Sequence, residues 1–461
     1  MFFENRSNAV FVNKGIAPKY ISYGLRNFNK IPQLSGLNQQ DIFEMKVVGT
    51  VLPFKVNNYV LDNLINWKNI PNDPIFRLVF PQKEMLSNKH FNLMADAIIQ
   101  EKSKVTINSI ANKIRMELNP HPAGQSDYNV PLLNDKKLEG IQHKYNETVL
   151  FFPSQGQTCH AYCTFCFRWP QFTHIDELKF SSHDVQQLID YIKSHKEVTD
   201  LLITGGDPMI MHGKIFKAYI DAILDANIPN LHTIRIGSKS LAYWPYKFVN
   251  SDDSYLILKS FEKVVKSGRP LSFMAQFNHP VELETDIVKT AIRNILSTGA
   301  KIRTQSPVIK HINDDAKVWE TMWKEQVRLG CIPYYMFMAR DTGAKNYFKV
   351  SLIDAWQIFR KAYMNIGGNA RTVRGPVMSC GPGKIQMLGI NEIMGNKVMV
   401  LRFLQGRNKN WVQIPFFTEY DEEAYWIDDL KPTFDEEDFF FERELKELYQ
   451  SKQEMLALVD D

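Results

Sequence analysis

Three of the chain's five cysteines fall within eight positions, in the run Cys159-His-Ala-Tyr-Cys163-Thr-Phe-Cys166. Three thiolates this close can wrap one iron–sulfur cube, and a cube has four irons, so one iron keeps no protein ligand. That open iron can chelate the amino and carboxylate groups of S-adenosylmethionine (SAM), and an electron passed into the sulfonium then releases a 5′-deoxyadenosyl radical. The spacing therefore reads as a [4Fe–4S] site at Cys159, Cys163 and Cys166, with an aromatic residue just before the third ligand. A structural zinc site completed by His160 or His174 is the alternative, but such sites usually bring a second paired knuckle, and the sequence has none. Cys331 and Cys380 stand alone, and a low, odd cysteine count suits metal ligation in a reducing compartment better than a disulfide framework.

A second candidate is Gly205-Gly206-Asp207-Pro208, at the end of the apolar run Leu201-Leu-Ile. Two glycines let a backbone approach a ligand closely, and a carboxylate can accept from an ammonium group. By itself the tetrapeptide is only a turn. One strand–helix unit beyond the cysteines, it is sited to bind the methionyl amine of SAM.

These residues need a scaffold, and the patterning supplies one. From about 147 an apolar, β-rich run is followed by a turn and a segment of helical period, six times over. Strands are expected at 149–153, 200–204, 232–237, 271–277, 301–305 and 333–338, with helices near 182–195, 213–226, 254–267, 283–298, 315–329 and 352–364. The alternation argues for parallel βα units in an α/β fold, with the chemistry at the carboxyl ends of the strands. Residues 1–140 read as an accessory region containing a helix at 88–102 and a linker at 119–124. Residues 391–461 read as a packing or capping tail, with a hairpin around 398–403 and a final helix.

Composition narrows the partners. The chain has 461 residues, 44% of them hydrophobic and 23% charged, the balance of an ordinary globular protein. Its net charge of +4 comes from 55 basic and 51 acidic residues spread along the chain, so nothing argues for nucleic acid or membrane as the main partner. No apolar run is long enough for a signal-peptide core or a membrane span, and a cytoplasmic protein with a small-molecule ligand is expected.

The cysteine and Gly-Gly-Asp motifs, together with His143-Lys-Tyr145, Arg235-Ile-Gly-Ser238, Phe277-Asn-His-Pro280 and Pro333-Tyr-Tyr335, resemble the lysine 2,3-aminomutase family of radical SAM enzymes over about residues 110–390. The resemblance implies a partial (β/α)6 barrel that combines SAM, a [4Fe–4S] cluster and pyridoxal 5′-phosphate (PLP), and moves an amino group from the α to the β carbon of an amino acid. It implies Lys384, in Ser379-Cys-Gly-Pro-Gly-Lys384, as the lysine that carries PLP. Such a lysine must be partly neutral, which a desolvated pocket arranges by lowering its pKa. A surface lysine beside a Gly-Pro-Gly turn is the plainer reading, and the loop departs from the family's run of glycines. By the same resemblance Tyr145 stacks on the PLP ring, Lys144 pairs with its phosphate, and Ser238, His279 and Gln305 lie near SAM or PLP. Thr148 stands where the family offers a second phosphate-binding arginine. Arg168 matches the arginine that forks onto the substrate α-carboxylate, a pairing that suits a planar bidentate donor. A buried acid beside Arg168 is the structural alternative.

The resemblance departs most at the side-chain pocket. Lysine enzymes hold the distal ammonium with two aspartates, and the matching positions here are Arg340 and Arg374, which would repel an ammonium and attract an acid. The reading is therefore a PLP-dependent 2,3-aminomutase acting on an amino acid with an acidic or strongly accepting side chain, served by a reductant such as a flavodoxin or ferredoxin and assembled as a homo-oligomer. The alternatives are a PLP-independent radical SAM enzyme acting on another metabolite, and a non-catalytic metal-binding interaction protein.

Overall fold

A computed structural model describes residues 17–119, 128–173, 180–249 and 251–460. His174, the first residues of the chain and most of the 119–124 linker lie outside the described residues. Eleven strands form one sheet in strict chain order: β1 (Ile141–Tyr145), β2 (Thr148–Phe151), β3 (Asp200–Ile203), β4 (Thr233–Ser238), β5 (Leu271–Gln276), β6 (Lys301–Val308), β7 (Ile332–Met338), β8 (Arg374–Ser379), β9 (Gly383–Ile393), β10 (Asn396–Gly406) and β11 (Pro415–Glu419). Neighbours from β2 to β8 run parallel, while β1 and β9 to β11 pair antiparallel.

Six helices fill the crossovers: α1 (Val185–Ser194), α2 (Gly213–Asp225), α3 (Asp252–Lys266), α4 (Asp286–Ser297), α5 (Ala316–Arg328) and α6 (Leu352–Met364). The six expected strand–helix units are all present, each within a few residues of its expected bounds. Parallel strands need such crossovers, and the covered sheet face must be apolar. Val149, Phe151, Leu201, Ile203, Ile234 and Ile236 accordingly alternate along β2 to β4 and are almost wholly buried. Asp184, Thr285, Asp315 and Ser351 start α1, α4, α5 and α6 by accepting backbone N–H bonds in the first turn, each worth about 1 kcal/mol.

Both flanks join the core more closely than their outlines in the sequence suggest. Residue 390 falls inside β9, and the expected hairpin is β9 and β10, which with β11 extends the sheet past β8. They do so because the long β9–β10 hairpin satisfies the β8 edge. The N-terminal region is also more than accessory. It buries Val47, Val48, Phe76 and Phe80 in a core continuous with that of the sheet, contains the helices Gln39–Val51, Asn88–Ile99 and Lys104–Glu117, and lies against the cysteine loop. Among the described residues no helix is long and apolar enough to cross a membrane.

Candidate functional site

The cysteine loop leaves the carboxyl end of β2 and is pinned by the N-terminal region. Lys55 Nζ donates to the Cys159 carbonyl at 2.7 Å, Asn57 and Tyr20 both donate to the His160 carbonyl, and the Tyr162 and Thr164 backbone N–H groups donate to the Lys55 and Leu78 carbonyls. Burial raises the pKa of all three thiols, and for Cys159 the Asp207 carboxylate and the other two cysteines add to it. Three desolvated thiols on one loop are a donor set that only a metal would ionise, and they fit an iron–sulfur cube. Among the described residues no three or more His, Cys, Asp or Glu side chains are gathered as the ligands of one ion. A cube asks less of them, because each cysteine meets a different iron. His160 is buried with its pKa lowered by desolvation, and its Nδ1 lies 2.9 Å from the Ser240 hydroxyl, so it belongs to the packing of the loop.

The Gly-Gly-Asp turn closes against the cysteine loop. A Cβ on Gly205 would meet the Gly156 carbonyl oxygen at 2.8 Å, and one on Gly206 the Thr158 oxygen at 2.7 Å. The two glycines therefore admit the start of the cysteine loop. Asp207 is 2% exposed, and its carboxylate accepts from the Met209 and Lys239 backbone N–H groups and from the Ser238 and Ser240 hydroxyls. Those donors hold the carboxylate in place, and Ser238 belongs to the same network. His279 accepts from the Val281 N–H, and Gln305 lends its carbonyl to the Phe277 N–H.

Beyond the loop the site is basic. Arg168 is 8% exposed, its guanidinium lies 4.2 Å from the Phe152 ring centre, and its Nε and one Nη have no partner. Desolvation lowers its pKa to about 10, opposed by Cys166 and Cys159 and aided by Arg340, so it remains a cation at neutral pH. Among the described residues no acid pairs with it. Arg340 lies over the Phe167 ring and donates to the Ser379 carbonyl. Gly343, at φ +64°, lets the same segment abut the Trp169 indole. Lys144 donates to the Cys380 carbonyl, and its pKa falls through burial and through Arg407, Arg340 and Lys384.

Lys384 stands on β9, with Nζ 2.7 Å from Gln405 Oε1 and 5.3 and 5.2 Å from the ring centres of Tyr145 and Tyr335. Desolvation, with help from Arg235 and Arg374, brings its pKa down to about 7. It is not the surface lysine of the plainer reading. The Tyr145 hydroxyl is buried without a partner. A nucleophilic lysine between two aromatic rings, beside Arg235 and Arg374 and with Asp200 already paired to Arg235, is a donor set that fits PLP. Thr148, where the family has an arginine, donates to Asp200, which also holds Arg235.

Arg407, at the end of β10, went unnoticed in the sequence. It donates to the Gly381 carbonyl, to Asn129 Oδ1 and, more weakly, to the Tyr128 carbonyl, and it is the charge that acts most strongly on Lys144. Nothing local marks it, because it reaches the site only through the hairpin. Arg374 is not gathered with Arg340. It is exposed, donates to the Tyr335 hydroxyl at 3.3 Å, and lies on the Lys384 side.

No family sequence model matches the chain. It is 30% identical over 389 residues to a putative L-lysine 2,3-aminomutase of Aquifex aeolicus, covering 84% of this chain and 90% of that protein. It is 22% identical over 396 residues to an L-lysine 2,3-aminomutase of Methanococcus maripaludis, covering 85% and 80%. A shorter match, 28% over 200 residues and 43% of this chain against 44% of the relative, is to a glutamate 2,3-aminomutase of Clostridioides difficile.

Proposed function

The chain belongs to the lysine 2,3-aminomutase family of radical SAM enzymes, and from that premise we propose that it is a PLP-dependent 2,3-aminomutase whose substrate is an amino acid with a distal acidic group. The observation that carries the reading is the run of neighbouring cations from Lys384 through Lys144, Arg407 and Arg340 to Arg168, with only Asp341 acting as an acid on Arg340 and no ion pair between those two.

Cys159, Cys163 and Cys166 hold the cluster, which with SAM supplies a radical able to take a β-hydrogen. PLP, held at Lys384, would supply an electron-accepting ring. The chain's own residues do the rest. Lys384, already partly neutral at pH 7, supplies the nucleophilic amine. Tyr145 and Tyr335 confine it between rings, and Lys144 and Arg407 offer donors to a phosphate. Arg168 points two unpartnered N–H groups toward an α-carboxylate, and Arg340, between Arg168 and Lys144, takes the distal acid. A distal ammonium would meet like charges there at low dielectric.

The test is turnover of glutamate, aspartate, arginine and lysine by reduced enzyme with SAM, with β-amino acids identified by mass spectrometry. Acid turnover lost in Arg340→Ala supports the reading. Efficient lysine turnover with both acids inert overturns it.

A further inference from the structure

The turn after β4 carries a group that the reaction as described does not use. Tyr243 is 1% exposed, and its hydroxyl lies 3.1 Å from Cys163 Sγ. The Lys239 ammonium stands 4.5 Å from the Tyr243 ring centre, donates to Glu282 Oε1 and Asn278 Oδ1 at 2.7 Å each, and is 9% exposed. Glu282 is completely buried and accepts from the Asn278 N–H with its other oxygen. One wired path thus runs Glu282, Lys239, Tyr243, Cys163.

We propose that Tyr243 is a positioning residue for the cluster, donating a hydrogen bond to the Cys163 sulfur and thereby raising the cluster's reduction potential. The inference rests on the cluster reading of Cys159, Cys163 and Cys166. Either atom could donate between a free thiol and a hydroxyl, but a cysteine that ligates iron has lost its proton, so only the O–H is left to donate. The hydroxyl has no competing acceptor among its described bonds. A donor to a ligand sulfur withdraws electron density from it and stabilises the reduced, more negative cluster, one of the levers that set iron–sulfur potentials. The Lys239 ammonium over the ring face acts in the same direction, while the Glu282 carboxylate that fixes it acts against it, which leaves the hydroxyl as the group that tunes the sulfur. The sequence places the parts, since Lys239 and Tyr243 are one helical turn apart in the segment that Asp207 anchors through Ser238, Lys239 and Ser240.

The experiment is a potentiometric titration of the anaerobically reconstituted full-length protein, followed by the paramagnetic resonance of the reduced cluster, after iron and sulfide have been counted. Tyr243→Phe is expected to keep its iron and sulfide and to titrate at a more negative potential than the parent. Tyr59→Phe, which removes a hydroxyl bonded to Thr285, is expected to titrate with the parent. If Tyr243→Phe fails to load, incorporation of 3-fluorotyrosine at 243 decides: the stronger donor should move the potential upward. A fully loaded Tyr243→Phe at the parent potential or above it, or a fluorotyrosine protein at the parent potential or below it, overturns the proposal. A parent protein that takes up no iron or sulfide overturns the cluster reading and this proposal together.

Discussion

Replacing Arg235 with glutamine should push Lys384 back toward an ordinary lysine. With its pKa at about 7, half of the Lys384 amines are neutral at pH 7, and at pH 8 roughly 300 times more are neutral than at the ordinary value of 10.5. Burial is the largest cause, and Arg235 is the first charge after it. The sign follows from what the substitution removes. A guanidinium that opposes the ammonium is lost, and Asp200, now without its ion pair but still held by Thr148 and Thr233, attracts the ammonium more strongly. Both changes raise the pKa. A shift of about one unit, the lower end of what a neighbouring charge produces, would cut the neutral fraction at pH 7 from about a half to about a tenth. The assay is the pH dependence of Lys384 labelling by an amine-acylating reagent in PLP-free protein, read by peptide mass spectrometry. The midpoint should lie near pH 7 in the parent and near pH 8 in the variant. A parent midpoint above pH 9, or a variant midpoint equal to or below the parent's, would refute the reasoning.

Changing Cys159, Cys163 or Cys166 to Ala should abolish SAM cleavage and lower iron content, whereas Cys331→Ala and Cys380→Ala should keep the cluster; 5′-deoxyadenosine formed at the parent rate by a variant of the three would contradict this. Arg407→Gln should weaken PLP binding about 10- to 100-fold, the loss of one charge-assisted bond of about 1.5–3 kcal/mol, with Arg407→Lys recovering part of it; an unchanged PLP dissociation constant, followed by absorbance, would remove Arg407 from the site. Gly206→Ala forces a methyl onto the Gln157 and Thr158 backbone and should cost about 1–3 kcal/mol in denaturant unfolding, with reduced cluster loading; parent-like stability would show that the loop yields freely.

The parts of the protein that a short window encodes were legible in its sequence. The spacing of Cys159, Cys163 and Cys166 lies within one loop, and the six strand–helix units repeat a hydrophobic period that the backbone ladders must obey. Lys384 was reached through resemblance, and its lowered pKa then came from partners that no local pattern names. What the tertiary structure alone decided is how polar groups pair. Asp207 accepts from Ser238, Lys239 and Ser240, more than thirty residues away, partners that its turn does not announce. Arg340 and Arg374, both matched by resemblance to ammonium-binding aspartates, separate because Arg340 sits half-buried in the loop just past β7, over the Phe167 ring, while Arg374 opens β8 exposed. Arg407 enters through a hairpin whose sequence reads only as alternating apolar residues, and Lys55 and Asn57 reach the cysteine loop from about a hundred residues upstream. Periodicity fixes which face of an element is apolar, but a charged side chain's partner, burial and pKa depend on which distant element the fold brings against it.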